Sequence, residues 1–420
     1  MEKYNEYKDS GVQWLGEIPS HWKLLRNKSF MNLTDEKVEQ RKNFILLSLT
    51  KQGVIIRDLS EGKGKFPKNF NTYLVVRPNN LVFCLFDVDE TPRTVGLVRN
   101  VGMLTGAYTN FKLKENVVLP EYAYYYYLQV DDVKGLKPYY TGLRKVVKTN
   151  TFLQLRMPVP PIKEQHTIVS YLDTKCSKLD TFISNKKKEI TLLQEMKQRV
   201  IADAVTRGLN PNVKFKPTNI SWLPEIPENW EMVRNKSFMK PTEEKVGKRR
   251  DLTLLSLTKQ GVIVRDLTEG KGKFPKDFES YLVVKPNNLV FCLFDIDETP
   301  RTVGLVHNDG MLTGAYSNFE IDERIVLPEF AYYYYLQVDN IKGLRPYYTG
   351  LRKVVRANTF SMLRIPVPPI EEQHAIVSYI TERVAKIDSL IEKLNKEIEC
   401  IKEYKQRLIS DVVTGQIKVS

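Results

Sequence analysis

The sequence predicts a mixed α/β or α+β protein in which two strand-rich domains alternate with two long helices. Three observations predict it: an internal repeat, apolar residues at coiled-coil spacing in each copy, and short β-type runs between turn signals. A chain of 420 residues is long enough for two or three domains with hydrophobic cores. The predicted order is a domain over residues 1–160, a helix over 161–207, a domain over 208–368 and a helix over 369–420.

An internal repeat with an offset of 208 residues organises the chain, and it runs without a gap from residues 14–206 to 222–414. The copies match unevenly. Residues 81–110 are repeated at 26 of 30 positions, whereas residues 173–203 are repeated at 12 of 31. We therefore expect the two domains to have nearly identical surfaces. The four differences in the first stretch are Val88/Ile296, Arg99/His307, Val101/Asp309 and Thr109/Ser317.

Apolar residues late in each repeat step alternately by four and three, which is the spacing of a coiled-coil seam. A core helix in each domain is the alternative, but such helices carry wider apolar stripes. Both helices belong to one chain, so we predict that they pack on each other as a coiled coil. The apolar seam positions are Leu172, Cys176, Leu179, Ile183, Ile190, Leu193 and Val200, then Ile380, Val384, Ile387, Ile391, Leu394, Ile398, Ile401 and Leu408.

Within the first domain, β-type runs alternate with Gly- and Pro-containing turn signals. A short helix follows Pro120, because Pro and an acidic residue favour the first helical turn. A linker is predicted over residues 208–218, which contain Pro211 and Pro217. The predicted strands are residues 44–49, 54–57, 73–77, 81–86 and 94–98.

The net charge of +14 indicates an acidic partner, either nucleic acid or an anionic surface. Residues 162–207 and 370–411 together contribute only +1, so the globular parts carry the excess of +13. The four cysteines show no CxxC spacing and predict neither a disulfide framework nor a zinc site. We find no signal-peptide core and no apolar run of membrane-spanning length, which favours a cytoplasmic location and no membrane contact.

One cluster has the composition of a catalytic site. Paired carboxylates after a strand can hold Mg²⁺ for phosphodiester hydrolysis. The alternative is a solvated loop, or carboxylates that accept hydrogen bonds from cytosine amino groups. No lysine follows at the E-x-K spacing common in nucleases. The cluster is Asp87, Asp89, Glu90 and Arg93, repeated as Asp295, Asp297, Glu298 and Arg301.

Several polar loops are candidates for DNA contact, because Gln pairs with adenine, Lys and Arg pair with guanine, and Gly-led basic loops hold phosphates. For each loop, ordinary solvated turn polarity is the alternative. The candidate residues of the first domain are Thr50, Lys51, Gln52, Arg57, Lys63, Lys65, Arg93, Tyr108, Arg144 and Lys145. Those of the second are Thr258, Lys259, Gln260, Arg265, Lys271, Lys273, Arg301, Tyr316, Arg352 and Lys353.

Other polar and aromatic residues give weaker signals. Four consecutive tyrosines at 124–127 resemble a base-stacking platform, but consecutive helical positions point around the cylinder, so core packing is favoured. His166 and His374 have no second metal ligand nearby. The sequence has no methyltransferase motif, no Gly-rich cofactor loop and no P-loop, so we expect no catalytic residues, metal or cofactor in this chain.

The chain resembles the specificity subunits of type I restriction–modification systems. The resemblance is carried by residues 8–19 (KDSGVQWLGEIP), by the PVPPIKEQ and PVPPIEEQ runs at 158–165 and 366–373, and by the helix ends at 204–208 and 412–415. The order of these parts extends over essentially the whole chain.

The resemblance implies that each globular half is a target-recognition domain for one half of a split DNA site. It implies that the long helices form an antiparallel coiled coil, which spaces the domains around a pseudo-twofold axis. The coiled coil docks two methyltransferase subunits, which bind S-adenosylmethionine and methylate adenine. Motor and nuclease subunits that use ATP and Mg²⁺ complete restriction. A non-catalytic role in host defence follows for this chain, with double-stranded DNA as its direct target.

Members of the family ordinarily carry two dissimilar recognition domains, whereas the halves of this chain are near copies. Twofold proteins read twofold-symmetric DNA, so we predict an interrupted palindrome. A seam of about 29 residues at 1.5 Å each gives roughly 43 Å of helix. This predicts half-sites about one DNA turn apart.

Overall fold

The computed structural model describes residues 2–12, 14–38, 44–57, 70–249, 251–265 and 277–419. The chain forms two compact units. Unit 1 comprises residues 1–186 and 395–420, and unit 2 comprises residues 187–394. Each unit therefore combines one predicted recognition domain with half of each predicted long helix.

The first domain is built from twelve short strands in its described residues. They are β1 Tyr7–Asp9, β2 Glu17–Pro19, β3 Lys23–Arg26, β4 Met31–Thr34, β5 Leu47–Thr50, β6 Gly53–Ile56, β7 Leu74–Val76, β8 Leu81–Phe83, β9 Val95–Leu97, β10 Gly102–Leu104, β11 Thr109–Leu113 and β12 Arg156–Val159. The largest sheet is antiparallel with the order β4-β11-β8-β9, and β5 pairs with β6 as a hairpin.

The second domain repeats this arrangement. Its strands are β13 Phe215–Ile220, β14 Leu223–Pro227, β15 Glu231–Arg234, β16 Met239–Thr242, β17 Leu255–Thr258, β18 Gly261–Val264, β19 Leu282–Val284, β20 Leu289–Phe291, β21 Val303–Leu305, β22 Gly310–Leu312, β23 Ser317–Ile321 and β24 Arg364–Val367. The four-stranded sheet has the equivalent order β16-β23-β20-β21. All five strands predicted from the sequence are present, although each is shorter than predicted or offset from its predicted range.

The helices are α1 Pro120–Asp132, α2 Thr149–Gln154, α3 Ile162–Arg207, α4 Pro328–Asn340, α5 Ala357–Met362 and α6 Ile370–Val413. Helix α3 agrees with its predicted range to within one residue at each end, and α6 begins within one residue of its prediction, since Pro160-Pro161 and Pro368-Pro369 stop the preceding strands and a helix can begin directly after proline. Helix α6 ends at Val413, seven residues before the predicted end at 420, because Gly415 turns the chain with a φ of +75° just past the helix. The short helix α1, predicted to follow Pro120, begins at that residue and ends at Asp132.

An aromatic cluster lies between the four-stranded sheet and the helices of the first domain. Phe83, Phe111 and Phe152 are fully buried, and the ring centroids of Phe83 and Phe152 lie 4.7 Å apart. Tyr127 of α1 joins this cluster and donates a 2.6 Å hydrogen bond to the buried Asn27 side chain. The tyrosine run is therefore largely core, as the helical spacing predicted, with Tyr125, Tyr126 and Tyr127 buried and Tyr124 partly buried.

Each unit contains an antiparallel pair of long-helix segments. In unit 1, Lys405 of α6 bonds Asp180 of α3 at 2.6 Å, and Lys186 bonds Glu397 at 3.1 Å. In unit 2, Lys197 bonds Asp388 at 2.7 Å. Every predicted seam position is buried or half-buried and most of the neighbouring positions are exposed, which confirms the coiled-coil register.

A buried glutamine fastens the first turn of each long helix to its domain. Gln165 accepts a 2.8 Å hydrogen bond from the Leu119 N–H and donates to the carbonyls of Val117 and Pro160, both at 2.9 Å. Gln373 makes the equivalent three bonds. Because every polar atom of the amide makes a hydrogen bond, its burial leaves no donor or acceptor without a partner.

Candidate nucleic-acid interface

The β5–β6 hairpin presents two polar side chains at its tip. The Thr50 hydroxyl accepts a hydrogen bond from the Gln52 N–H and donates one to the Gly53 carbonyl, both at 3.1 Å. Thr50 therefore closes the turn, while Lys51 and Gln52 are exposed. Thr258, Lys259 and Gln260 repeat this arrangement with the same distances.

The acidic loop after β8 and the basic turn at residues 142–145, which the sequence treats as separate candidates, are in contact. The Asp87 N–H donates to the Arg144 carbonyl at 2.8 Å. The Lys145 ammonium bonds Glu90 at 2.8 Å and lies 3.5 Å from Asp89. Its pKa is raised, chiefly by the hydrogen bond to Glu90. The acidic loop and the basic turn therefore form one surface that carries charges of both signs.

The second domain makes the same surface with an additional arginine. Arg345 bonds Asp297 at 2.8 Å, and Lys353 bonds Asp297 and Glu298 at 3.1 and 2.6 Å. The hydrogen bond from Arg345, followed by that from Lys353, lowers the pKa of Asp297 to about 2. The bond to Glu298, followed by that to Asp297, raises the pKa of Lys353 to about 12. Asp297 and Lys353 are therefore charged at neutral pH.

Arg93 and Arg301, both candidates for base contact, have partners within their own domains. Arg93 donates to Asp131 and Asp132 at the end of α1, at 3.3 and 3.5 Å. Arg301 bonds the nearly buried Asp339 at 3.1 Å and also donates to the Lys259 carbonyl of the hairpin turn at 3.3 Å. These arginines hold the acidic loop against the helix, and contact with DNA stays a prediction for them.

An aromatic stack supports the basic turn. The Arg144 guanidinium lies over the Phe86 ring at 5.6 Å, and Phe86 stacks on Tyr108 with 6.2 Å between centroids. Arg352, Phe294 and Tyr316 form the equivalent stack at 5.3 and 6.3 Å. Tyr108 and Tyr316 are therefore half-buried supports, and burial raises the pKa of both hydroxyls.

The remaining candidates are less informative. Arg57 and Arg265 are half-buried directly after β6 and β18, and each has a partner. Lys63, Lys65, Lys271 and Lys273 lie outside the described residues. The expectation that these lysines hold phosphates stays a prediction.

The carboxylate cluster lacks the arrangement of a metal site. Asp89 and Glu90 face the Lys145 ammonium, and Asp87 faces Arg144 at 3.8 Å. Among the described residues, no group of three or more His, Cys, Asp or Glu side chains is placed to hold a metal ion. These carboxylates neutralise a neighbouring basic turn, which gives them a role that needs no hydrolysis.

Two of the four differences in residues 81–110, Arg99/His307 and Val101/Asp309, lie away from this surface. Arg99, which is His307 in the repeat, donates to Glu121 in the first turn of α1, whereas Arg93 contacts the last turn. Eleven residues separate Glu121 from Asp132, so these points are about 16 Å apart along the helix. Val101 and its counterpart Asp309 are both exposed in the turn next to Arg99 and His307.

Sequence reasoning missed the residues that join each helix to its domain. Glu164 accepts hydrogen bonds from Trp22 Nε1 at 3.0 Å and from the Tyr4 hydroxyl at 2.5 Å. Glu372 accepts the equivalent 3.0 Å bond from Trp230. The available signal was the Glu-Gln pair at the same place after Pro-Pro in both repeats.

Comparison with known proteins finds the same similarity in both halves of the chain. The domain described as "Type I restriction modification DNA specificity domain" matches residues 97–192 and 304–400. The MjaVIII type I restriction enzyme specificity subunit of Methanocaldococcus jannaschii is 23% identical, and the alignment covers 100% of this chain and 98% of that protein. The EcoBI specificity subunit of Escherichia coli is 21% identical over 65% of this chain and 60% of its own length.

Solved structures show the same fold. A chain from a study of complex assembly and conformational transition of the type I R-M system has a TM-score of 0.68 at 13% identity, and the match covers 95% of this chain and 99% of that one. The HsdS subunit of Thermoanaerobacter tengcongensis has a TM-score of 0.51 at 14% identity, covering 95% and 98%. No helix in the described part of the chain is long and apolar enough to span a membrane.

Proposed function

Because this chain carries the type I DNA specificity domain twice and has the fold of type I specificity subunits, we propose that it is the DNA-recognition subunit of a type I restriction–modification complex. Its ligand is double-stranded DNA with a split target site, and each domain reads one half-site. The chain itself is non-catalytic and directs adenine methylation and restriction by its partners in the cytoplasm.

One observation carries this proposal: the similarity to the specificity domain occurs in both halves of the chain, and each half presents the same exposed groups. Lys51 and Gln52 in the first domain, and Lys259 and Gln260 in the second, stand free at the tip of a closed hairpin turn. Lysine and glutamine are side chains that read guanine and adenine in the major groove. The excess charge of the globular parts supplies the sequence-independent attraction to phosphate.

The target is an interrupted palindrome with half-sites about one turn apart. Support comes from the distribution of differences between the two domains. The hairpin tips and the basic turns are the same in both, and Arg99/His307 and Val101/Asp309 lie at the far end of α1 and α4. Two domains with the same reading surface select the same half-site on opposite strands.

Two methyltransferase subunits dock on the long helices, one on each unit. In unit 1, Phe182 and Tyr404 are about half exposed, and each directly precedes a seam position. In an antiparallel pair both therefore occupy the same flank. Leu390 and Met196 take the equivalent positions in unit 2. Equivalent exposed apolar flanks suit two copies of one partner.

The catalytic cofactors belong to the partners in this proposal. The methyltransferase subunits bind S-adenosylmethionine, the restriction subunits use ATP and Mg²⁺, and this chain binds none of them. Its own contribution is to position the methyltransferase over an adenine.

The proposal is tested by expressing the methyltransferase gene that neighbours this one in a host with an unmodified genome, with and without this chain. N6-methyladenine in one defined motif is expected only when both proteins are present. Methylation without this chain, or methylation at no shared motif, would contradict the recognition role.

The comparisons favour recognition over the alternative of an autonomous nuclease. A direct control is incubation of the purified chain with duplex DNA and Mg²⁺, for the wild type and for Asp89→Ala with Asp297→Ala. We expect no cleavage from either protein. Cleavage that disappears in the variant would establish the nuclease.

Docking on the helix flank is tested by Met196→Lys, with Gln194→Lys on the opposite flank as the matched control. Burying a charge in place of a partner contact is expected to weaken assembly roughly 10- to 100-fold. The control should assemble like the wild type in a titration followed by sedimentation. Equal behaviour of the two variants would remove this flank from the interface.

A further inference from the structure

The turn at residues 142–145 holds a leucine wholly in solvent, and the second domain repeats it. Leu143 and Leu351 each have a relative exposure of 102%, the highest among the large apolar side chains that the structure describes. The turn sequence Gly-Leu-Arg-Lys is identical in both domains. Single exposed leucines are common on protein surfaces. The feature here is that the same leucine stands fully in solvent at the tip of the same turn in both domains.

The backbone around each leucine is firmly held. Thr141 and Val146 exchange two hydrogen bonds of 3.0 and 3.1 Å, and the Lys145 N–H donates to the Gly142 carbonyl at 3.0 Å. Gly142 adopts a φ of +74°, which glycine accepts without strain and which turns the chain at the tip. The leucine is therefore presented by a closed turn rather than by a free loop.

The base of the turn is also fixed to the domain. The Val147 N–H donates to the Leu85 carbonyl and the Asp87 N–H to the Arg144 carbonyl, both at 2.8 Å. The Arg144 side chain lies on the Phe86 ring, so it supports the turn from one side. Preorganisation of this kind lowers the entropic cost of inserting the tip into a ligand.

The surroundings indicate an anionic ligand. Residues 133–163 contain seven Lys or Arg and no Asp or Glu, and residues 341–370 contain six and none. Lys137, Arg144 and Lys148 are exposed around the tip. Asp87, Asp89 and Glu90 pair with Arg144 and Lys145 beside the tip, but the segment that carries the leucine has only basic charged residues. A single apolar side chain on such a basic segment suits a base stack between two phosphate backbones better than the apolar surface of a protein partner.

We propose that Leu143 and Leu351 are wedges that insert between adjacent base pairs of double-stranded DNA, one in each half-site, and unstack that step. Leucine is among the side chains that architectural proteins use in this way, and the resulting kink exposes the bases beside it. The inference rests on the proposed DNA-recognition function. It adds deformation of the site to recognition through base edges.

The test uses the full chain assembled with its methyltransferase subunits and a duplex that carries the methylation motif. 2-Aminopurine replaces one base in turn at each base pair except that of the methylated adenine, because its fluorescence rises when the base unstacks. The wild-type complex is expected to show this rise at one step in each half-site. Leu143→Ala with Leu351→Ala should abolish the rise and weaken binding by on the order of tenfold or more.

Two further variants make the result specific. Leu143→Met with Leu351→Met keeps a long apolar side chain and should retain the rise. Val133→Ala with Ile341→Ala truncates another exposed apolar pair that occurs in both domains, and it should behave as the wild type.

Three results would overturn the wedge: no rise outside the methylated adenine in the wild type, a rise that persists in the alanine variant, or failure of that variant to assemble with the methyltransferase. The last result would assign the tip to a protein contact. Failure of the wild-type complex to prefer the motif over a shuffled duplex would instead refute the proposed recognition function.

Discussion

The two copies of the internal repeat resemble each other in different ways in the globular domains and in the long helices. In the domains, residues 81–110 match their repeat at 26 of 30 positions, and even hydrogen-bond distances recur. In the helices, residues 173–203 match at only 12 of 31 positions. The seam register nevertheless survives, and the ion pair Lys197–Asp388 has its counterpart in Lys405–Asp180.

The difference reflects what each region must present. A coiled-coil seam needs an apolar side chain of suitable size at each position, and volume-conserving exchanges among such residues cost little. A surface that reads bases depends on particular donors and acceptors at particular places. The two helices therefore share the spacing of their apolar residues, whereas the two domains share the identities of individual side chains.

The largest effect is expected from a charge in the seam. Ile398→Asp places a carboxylate at a position that is 3% exposed, and it should destabilise the fold by about 3–5 kcal/mol. Ile398→Leu should cost less than about 1.5 kcal/mol. Thermal unfolding of the two variants checks the contrast, with the exposed Ser389→Asp as control. Similar costs for Asp and Leu would contradict a buried seam.

A smaller loss of stability, equal in the two domains, is expected when the buried glutamine is replaced. Gln165→Leu leaves the Leu119 N–H and the Val117 and Pro160 carbonyls without partners, and each lost bond to a buried group costs roughly 1–3 kcal/mol. Gln373→Leu should cost the same within error, because its three bonds are equivalent. Denaturant unfolding measures both. A clear difference between the two losses of stability would show that the two glutamines are not held in equivalent surroundings.

The smallest effect is expected from making the second domain more like the first. His307→Arg with Asp309→Val exchanges exposed residues outside the reading surface, so stability should change by less than about 0.5 kcal/mol. The methylated motif should not change. Sequencing of modified DNA checks this. A new half-site would show that this turn takes part in reading the bases.

The sequence predicted the features that depend on periodicity. The seam spacing located both long helices, with three of their four ends within one residue, since a strict pattern over several heptads leaves little choice of register. Helical spacing also predicted that the tyrosine run is mostly core. The strand boundaries were predicted less accurately, because a short apolar run indicates the buried segment but not the residue at which strand pairing ends.

The sequence could not predict which loops meet. Lys145 pairs with Glu90 from 55 positions away, and Arg93 with Asp131 from 38 positions away. Such contacts depend on sheet order, which local patterns do not determine. For the same reason the sequence alone did not show that Arg93 pairs with Asp131, and it gave no sign of the three hydrogen bonds made by Gln165.

The central claim is that two copies of one reading surface recognise one half-site twice. Base-modification sequencing of genomic DNA from cells that contain this chain and its methyltransferase tests it most directly. The account predicts N6-methyladenine in a single split motif whose halves are the same sequence on opposite strands, about one turn apart. A split motif with two unrelated halves would contradict it.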